Sequence, residues 1–348
     1  MLHTATSTNI CRVAGRLVPA ALVMAATMGC WSSSDDVVVY TALDREFSES
    51  LFDEFYRETG IKVRAKYDSE STKTVNLTNA LLAEASRPRC DVFWNNEILH
   101  TLRLDRRGLL APCDSTVAAR WPADYRSPDG HWFGFAARAR VLIVNTDLVT
   151  ADEQPTSILA LVDPKWKSRV AIAKPLFGTT ATHSATLFAH WGREKAQAFF
   201  ADVAANALVM SGNRRVAVAV ARGQVAWGLT DTDDAMLQLE AGFPVHIVFP
   251  DQEPDQMGAL FIPNTVALIR GAPHRASAVR LVEYLISPDT EARLARGPSA
   301  QMPLDPSATV KSRVPGSDTA RRMSVDFAAA VEAWDEASDV LRELFHSP

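Results

Sequence analysis

The sequence predicts an α/β protein whose two sheets face each other across a cleft. Three observations predict it. The chain has 348 residues, of which 47% are apolar and 22% charged. That is the profile of a folded globular protein, and at roughly 150 residues per domain the length corresponds to about two domains. Strand-like and helix-like segments alternate along two separate stretches. The segments that follow the strands are small, polar and placed at helix starts, where open α/β sheets bind ligands.

The N-terminus lies outside that pattern. Arg12 and Arg16 precede an apolar run over residues 17–28, with no acidic residue before it. The run is shorter than the roughly 20 residues a membrane span needs and has the length of a signal-peptide core. It ends in Met28-Gly29-Cys30 and a polar stretch. A small residue before a cysteine resembles a lipoprotein cleavage site, although Thr27 stands where such sites prefer leucine. Residues 1–30 are therefore read as a lipoprotein-type signal with lipidation at Cys30. Ordinary signal cleavage is the competing reading, and a buried N-terminal helix is a third.

The first hundred residues after this signal read β-α-β-α-β-α. Val37-Val38-Val39-Tyr40 is a short buried strand. Phe47, Leu51, Phe52, Phe55 and Tyr56 fall at helical spacing, and Gly60 ends that helix. Residues 62–67 alternate polar and apolar as a strand does. Val75, Ala80, Leu81 and Ala85 mark a helix, Asp91-Val92-Phe93-Trp94 the next strand, and Ile98, Leu99 and Leu102 the next helix. A parallel sheet is expected. In the second stretch the strands are 141–145, 170–173, 207–210, 225–229 and 245–249, with helices such as 195–205 and 214–222 between them. A strand at 266–269 and helices near 275–286 and 289–296 follow. Phe327, Val331, Trp334, Leu341 and Phe345 line one face of a single closing helix.

Charge and cysteines narrow the classes. The net charge is −5 and there is no basic stripe, so nucleic acid is not an expected partner. Removing the signal takes away two arginines and no acid, which makes the exported chain more acidic. Cys90 and Cys113 then remain beside Cys30. Export permits a bridge between them, and two separate buried thiols are the alternative. Neither has metal or redox spacing. Thr182-His183-Ser184 is the nearest approach to a hydrolase constellation. It lacks G-x-S-x-G, HExxH and a catalytic Cys/His spacing, and His183 falls inside a predicted helix. No enzymatic activity is expected.

The loops carry the interest. They are Thr41-Ala42-Leu43-Asp44, residues 68–74, Asn95-Asn96-Glu97, Phe177-Gly178-Thr179-Thr180, Ser211-Gly212-Asn213 and Thr230-Asp231-Thr232-Asp233-Asp234. Any one alone reads as a helix N-cap. Six in register, from two α/β regions, read as the two walls of a cleft.

Taken in order, several segments resemble the extracellular solute-binding proteins of ABC importers, in particular the ferric-iron-type group. They are Val38-Val39-Tyr40-Thr41, Cys90-Asp91-Val92-Phe93-Trp94, Asp163-Pro164-Lys165-Trp166-Lys167, Ser211-Gly212-Asn213 and Ala219-Val220-Ala221-Arg222-Gly223-Gln224. Pro263-Asn264-Thr265-Val266-Ala267, Ala272-Pro273-His274 and Tyr284-Leu285-Ile286-Ser287-Pro288 continue the series. The resemblance covers nearly the whole exported chain. It implies the two-lobed, type 2 periplasmic-binding-protein fold. Residues 31–137 and 263–300 would form one lobe, 138–262 the other, and 301–348 a C-terminal extension. The crossing segments would lie near 135–141 and 260–266. It further implies a monomeric, periplasmic, lipid-anchored protein that captures ferric iron, with or without a small anion, and delivers it to a membrane permease. A ligand sensor of the same fold is equally compatible with these residues.

The expected ligand set is drawn from these loops and from Arg138. Thr41, Asp44, Ser71, Thr72, Asn95, Asn96, Arg138, Gly178, Thr179, Thr180, Ser211, Gly212, Asn213, Thr230, Asp231, Thr232 and Asp233 are the expected ligand-binding residues. Asp44, Asp231 and Asp233 are the expected metal ligands, with Glu70 and Glu97 as further carboxylates, because hard cations take oxygen donors. The sequence departs from the ferric pattern in two places. Asp44 stands where the group places His or Tyr, and Thr232-Asp233 stands where it places two adjacent tyrosines. The helix starts at Gly178 and Ser211, helped by Lys73, Arg138 and Arg140, suit an anion instead. An anionic or zwitterionic solute such as a phosphonate or organophosphate is therefore the alternative ligand. Arg138 and Arg140 also have a structural reading, as alternate residues on a crossing strand, one of them paired with an acid.

Overall fold

A computed structural model describes residues 36–69 and 74–345. The signal segment with Cys30, and residues 70–73, lie outside the described residues. The chain opens with strand β1 (Val37–Thr41), helix α1 (Arg45–Thr59) and strand β2 (Val63–Tyr67). Phe47, Leu51, Phe52 and Phe55 form the buried face of α1, and Gly60 ends it with a left-handed φ of 73°. Helix α2 (Val75–Ala83), β3 (Val92–Asn95), α3 (Leu99–Arg106), β4 (Leu110–Ala111) and α4 (Thr116–Arg120) follow. β2 and β3 both pair with β1 in parallel, as the alternation predicts.

The long strand β5 (Trp132–Asn145) then leads into β6 (Val170–Ala173), α5 (Gly178–Trp191), α6 (Arg193–Asn206), β7 (Leu208–Met210), α7 (Asn213–Ala221), β8 (Trp227–Asp231), α8 (Thr232–Glu240) and β9 (Val245–Val248). The return strand β10 (Phe261–Ile269), α9 (Arg275–Leu285), α10 (Pro288–Arg296), α11 (Phe327–Glu332) and α12 (Trp334–Leu344) complete the chain. The strand order is β2-β1-β3-β10-β5-β8-β6-β7.

β5 joins the two halves of this sheet. Its first part pairs with β10 as far as Ala139, and from Arg140 onward it pairs with β8. Within the part paired with β10, where the register shifts, Ala136 takes a left-handed φ of 43°. This is costly for a residue with a Cβ and needs outside support. The buried Glu291 carboxylate supplies it by accepting the Ala136 N–H at 2.7 Å, and it also accepts the N–H groups of Leu304 and Asp305.

Each half has a core of its own, and a larger cluster that includes Phe93, Leu99, Phe200, Trp227 and Trp334 runs through both. Phe47, Phe55, Trp94, Phe135, Leu281 and Leu285 fill the first. Val141, Ile143, Ala171, Val216 and Val220 fill the second. There α7 lies so close to the sheet that a Cβ on Gly228 would sit 2.5 Å from Val216 Cγ1 and 2.8 Å from the Ala171 carbonyl oxygen.

Several elements differ from the sequence expectation. β5 and β10 start earlier than 141 and 266, because their first halves pair with each other antiparallel. That pairing adds antiparallel strands to a sheet expected to be parallel. β8 runs two residues later than expected, since its last residues Thr230 and Asp231 pair with Val141 and Arg140. The closing helix is two helices that meet at Ala333. Cys90 and Cys113 are separate buried thiols. Burial raises both thiol pKa values, Cys113 to about 11.

Candidate functional site

The ends of β1, β3, β6, β7 and β8 open onto one polar cleft. Asp44 and Asn96 line it from the first half. Lys174, Phe177, Gly178, Thr179, Thr180, Ser211, Gly212 and Asn213 line it from the second, with Asp231, Asp233 and Asp234. Arg138, on the crossing strand, lies between them.

The helices that start here are not capped by side chains in the usual way. Asp44 and Asp231 occupy the N-cap positions of α1 and α8, yet neither caps its own helix. Phe177 and Gly212 hold the N-cap positions of α5 and α7 and make no side-chain cap. By contrast, Ser115, Ser287 and Asp326 cap α4, α10 and α11 in the ordinary manner. A side-chain cap removes an orphan N–H, so α5 and α7 keep theirs available beside the cleft. Gly178 begins α5 with a φ of 54°, a left-handed turn that favours glycine.

The uncapping carboxylates are engaged elsewhere. Asp231 Oδ1 accepts from Arg140 Nη1 at 2.6 Å, and its Oδ2 accepts from the Thr179 hydroxyl at 2.5 Å and from Asn213 Nδ2 at 3.0 Å. Arg140 Nη1 also donates to Asn213 Oδ1 at 3.0 Å. Thr180 donates to that same amide oxygen. The Arg140 and Asp231 side chains are essentially fully buried. One element over, Arg138 Nε lies 3.2 Å from Asp233 Oδ2. The same guanidinium donates to the Asn96 carbonyl at 3.0 Å and to Asn264 Oδ1 at 2.9 Å. Arg214, near the start of α7, reaches Asp234 at 3.2 Å and Asp44 at 3.5 Å, and also contacts Glu46. Burial works against the Arg214 charge, but these three acids outweigh it and raise its pKa above the ordinary arginine value.

Oxygens of Asp231, Asp233 and Asp234 all lie within 4.8 Å of one another, a spacing that can hold a cation. No tyrosine or histidine lines the cleft among the described residues. The cleft therefore offers carboxylate, hydroxyl and amide oxygens, together with an ammonium and two open helix ends.

A family model for bacterial extracellular solute-binding proteins matches residues 101–331. The chain belongs to that family. This solute-binding protein is 29% identical over 272 residues to "Iron uptake protein A1" of Synechocystis sp. (strain ATCC 27184 / PCC 6803 / Kazusa), covering 75% of this chain and 74% of the relative. It is 31% identical over 218 residues to "Fe(3+)-binding periplasmic protein" of Serratia marcescens, covering 61% of this chain and 63% of the relative. Its fold matches iron-bound HitA from Pseudomonas aeruginosa with a TM-score of 0.78 at 22% identity, over 89% of this chain and 99% of that one. The fold is thus the two-lobed one that the resemblance implied.

In this solute-binding protein the cleft gathers Asp44, Asn96, Arg138, Gly178, Thr179, Thr180, Ser211, Gly212, Asn213, Asp231 and Asp233 of the expected residues. Ser71 and Thr72, like Glu70 and Lys73, lie outside the described residues. Four expected residues do not line the cleft. Thr41 is buried and its hydroxyl accepts the Leu43 N–H in the turn after β1. Asn95 is buried and donates to Glu97 at 2.6 Å. Thr230 donates to the Asn213 carbonyl, which ties β8 to α7. Thr232 accepts the Ala139 N–H and ties α8 to β5. Thr230 and Asp231 are neighbours on β8, and side chains alternate along a strand, so only Asp231 of the two faces the cleft.

Glu97 is not a cleft carboxylate either. It accepts the N–H groups of Leu99 and His100 at the start of α3, and the Thr182 hydroxyl of α5 at 2.8 Å. Burial raises its pKa against those bonds. His183 is a core residue. Burial, with the charge of Arg140, lowers its pKa to about 3.

Ala173, Lys174, Phe177 and Asp234 line the cleft and were not among the expected ligand residues. The signal for Lys174 was its position directly after β6. The loop was read from Phe177 onward, three residues too late.

Proposed function

We propose that this chain is the solute-binding component of an ABC import system, and that it captures ferric iron together with a small anion and hands it to a permease. The observation that carries this reading is the Asp231, Asp233 and Asp234 cluster inside a cleft that Asp44 also lines. Carboxylate oxygens suit a hard trivalent cation. The iron-uptake names of the relatives support the same cargo. The reading involves no catalysis: the protein binds and releases. It places the protein in the periplasm, as a monomer, with residues 1–30 as the export signal and Cys30 as the site of a lipid anchor. It keeps 31–137 and 263–300 as one lobe, 138–262 as the other and 301–348 as the extension. Closure would be a hinge motion about the crossing strands.

A thermal-shift panel tests the cargo. Ferric salts with and without bicarbonate are compared with phosphate, phosphonates and polyamines. Saturation at a thousandfold excess over Kd adds about 4 kcal/mol of apparent stability. A ferric response that Asp233→Asn removes is the expected result. Iron binding needs deprotonated carboxylates, so the response should also weaken in acid.

One observation favours a second reading. Asp231 and Asp233 each have an arginine at ion-pair distance. Carboxylates already neutralised in this way suit an anionic solute better than a bare cation. A shift with a phosphonate and none with any ferric complex would establish that reading instead.

A further inference from the structure

The two crossing strands also wall a second cavity, separate from the cleft. Ala137 of β5 lines it with Phe261 and Pro263 of β10, and its volume is about 220 Å³. Arg138, the next residue on β5, lines the cleft instead. Neighbours on a strand point to opposite faces, so this cavity lies behind the cleft, across the same strands. Tyr125, Leu304, Arg322 and Phe327 are among its other walls.

The segment that carries Arg322 is pinned beside β10. The Ala259 N–H donates to the Arg321 carbonyl at 3.0 Å, and the Met323 N–H donates to the Ala259 carbonyl at 2.9 Å. The two backbones run so close that a Cβ on Gly258 would sit 2.9 Å from the Arg321 carbonyl oxygen. The Arg322 guanidinium lies over the Phe261 ring at 4.6 Å, and its Nη1 donates to the Tyr125 hydroxyl at 3.3 Å. Among the described residues it is the only charged side chain that lines the cavity, and no carboxylate pairs with it. Apolar and aromatic walls with one guanidinium that no acid neutralises suit an apolar body carrying one carboxylate. An apolar cavity of about 150 Å³ holds benzene, so this one admits a single ring with a short acidic chain.

The cavity is joined to the bend of β5. Ala136, with its left-handed φ, directly precedes Ala137. Glu291 accepts the N–H of Ala136 at 2.7 Å and that of Leu304, a cavity wall, at 2.9 Å. Ala137 and Met302 exchange two backbone hydrogen bonds, each of 2.8 Å. A change in the bend moves these walls against one another, so a guest that fits them binds this conformation best. In this conformation Asp44 and Arg214 stand at ion-pair distance across the cleft.

We infer that this cavity is a second ligand site, for a small aryl carboxylate, and that filling it favours the closed arrangement of the cleft. The coupling rests on the hinge closure proposed above and not on the identity of the cargo.

The test uses the purified exported protein and 3-phenylpropionate, with 3-phenylpropanol and 3-phenylpropylamine as neutral and cationic analogues. Calorimetric titration should show the carboxylate binding at least roughly tenfold more tightly than either analogue, the gain expected of a charge-assisted hydrogen bond. Arg322→Gln should weaken the carboxylate by roughly tenfold and leave the alcohol unchanged. Val325→Trp fills the cavity from a half-buried position and should abolish binding, with urea unfolding to check that the variant is folded. No heat with the carboxylate, equal affinity in Arg322→Gln, or undiminished binding to folded Val325→Trp overturns the site. If Val325→Trp does not fold, Arg322→Gln decides alone. Small-angle scattering should show a smaller radius of gyration when 3-phenylpropionate saturates the wild-type protein. If a ferric salt or a phosphonate compacts the protein and bound 3-phenylpropionate does not, the coupling is overturned and the hinge reading stands. If none of them compacts it, both are overturned.

Discussion

Asp44 Oδ2, at the start of α1, lies 3.5 Å from Arg214 Nη2, at the start of α7. The two helices belong to opposite halves of the sheet, so this ion pair crosses the mouth of the cleft. Glu46 joins it from the same side as Asp44, and Asp234 joins it from the side of Arg214. One guanidinium thus holds acids from both walls.

Arg214→Ala should shift the protein toward an open state. Each pair is partly solvated, so each contributes only about 0–1 kcal/mol, and salt should weaken the set. Small-angle scattering of the ligand-free protein should show a larger radius of gyration for the variant at low salt. The difference should shrink as salt rises. Identical curves at every ionic strength would remove Arg214 from the closure equilibrium.

Arg140 and Asp231 form a different kind of pair, because both are buried. Removing one partner strands a charge in the interior, at a cost of about 3–5 kcal/mol. Asp231→Ala should therefore lower the urea midpoint sharply. The double variant Asp231→Ala with Arg140→Met should be more stable than Asp231→Ala alone, because no charge is left unpaired. If the two single losses simply add, the pair is not coupled as its 2.6 Å contact implies.

This pair also marks how far the sequence could be read. The alternation of strands and helices is written in local spacing, so β1, α1 and β3 were legible. The antiparallel pairing of β10 with β5 is a contact between residues more than a hundred apart, and no local pattern encodes it. The polar loops at Gly178, Ser211 and Asp231 were legible as cleft walls because their composition is local. The inward or outward direction of each side chain was not. Thr179 reaches the cleft while Thr41 and Thr232 are spent on backbone N–H groups, and the three look alike in sequence. The role of Arg140 depends on which strand β5 pairs with, so the structure was needed to join it to Asp231.

Acid should destabilise the protein through two buried histidines. Burial lowers His100 and His183 from 6.5 to about 3, with help from the charges of Arg103 and Arg140 respectively. In the unfolded chain each takes up a proton near pH 6.5, but in the folded protein neither does until about pH 3. The unfolded state thus binds more protons in that window. Their contribution is fully present above pH 6.5 and is lost as pH falls toward 3, at about 1.4 kcal/mol per pH unit for each histidine. Glu97 and Glu291 act with the opposite sign, because burial raises their pKa values and the folded state takes up their protons first. Urea unfolding of His183→Gln between pH 7.5 and 5 isolates one histidine. Its stability should fall less steeply with acid than that of the wild-type protein, and parallel slopes would show that His183 takes up its proton over the same pH range in the folded and unfolded states.

Trp334 ties the C-terminal helices to the first half of the molecule. Its ring meets His100 edge-on at 4.7 Å, and the Arg103 guanidinium lies over it at 5.1 Å. Both partners are on α3. Arg106, also on α3, donates to the Ala328 carbonyl at 3.0 Å and reaches Glu332 at 3.3 Å. On the other side, Phe345 stands edge-on to Phe200 of α6, and Arg193 pairs with Glu336. The helix pair therefore bridges α3 and α6. Trp334→Ala deletes a buried ring and should cost about 3–5 kcal/mol. Glu336→Ala deletes half of an exposed pair and should cost no more than about 1 kcal/mol. Urea unfolding of the two variants separates these expectations. If Trp334→Ala were as mild as Glu336→Ala, the α3 contact would add little to the fold, and the C-terminal helices would be held by the second half alone.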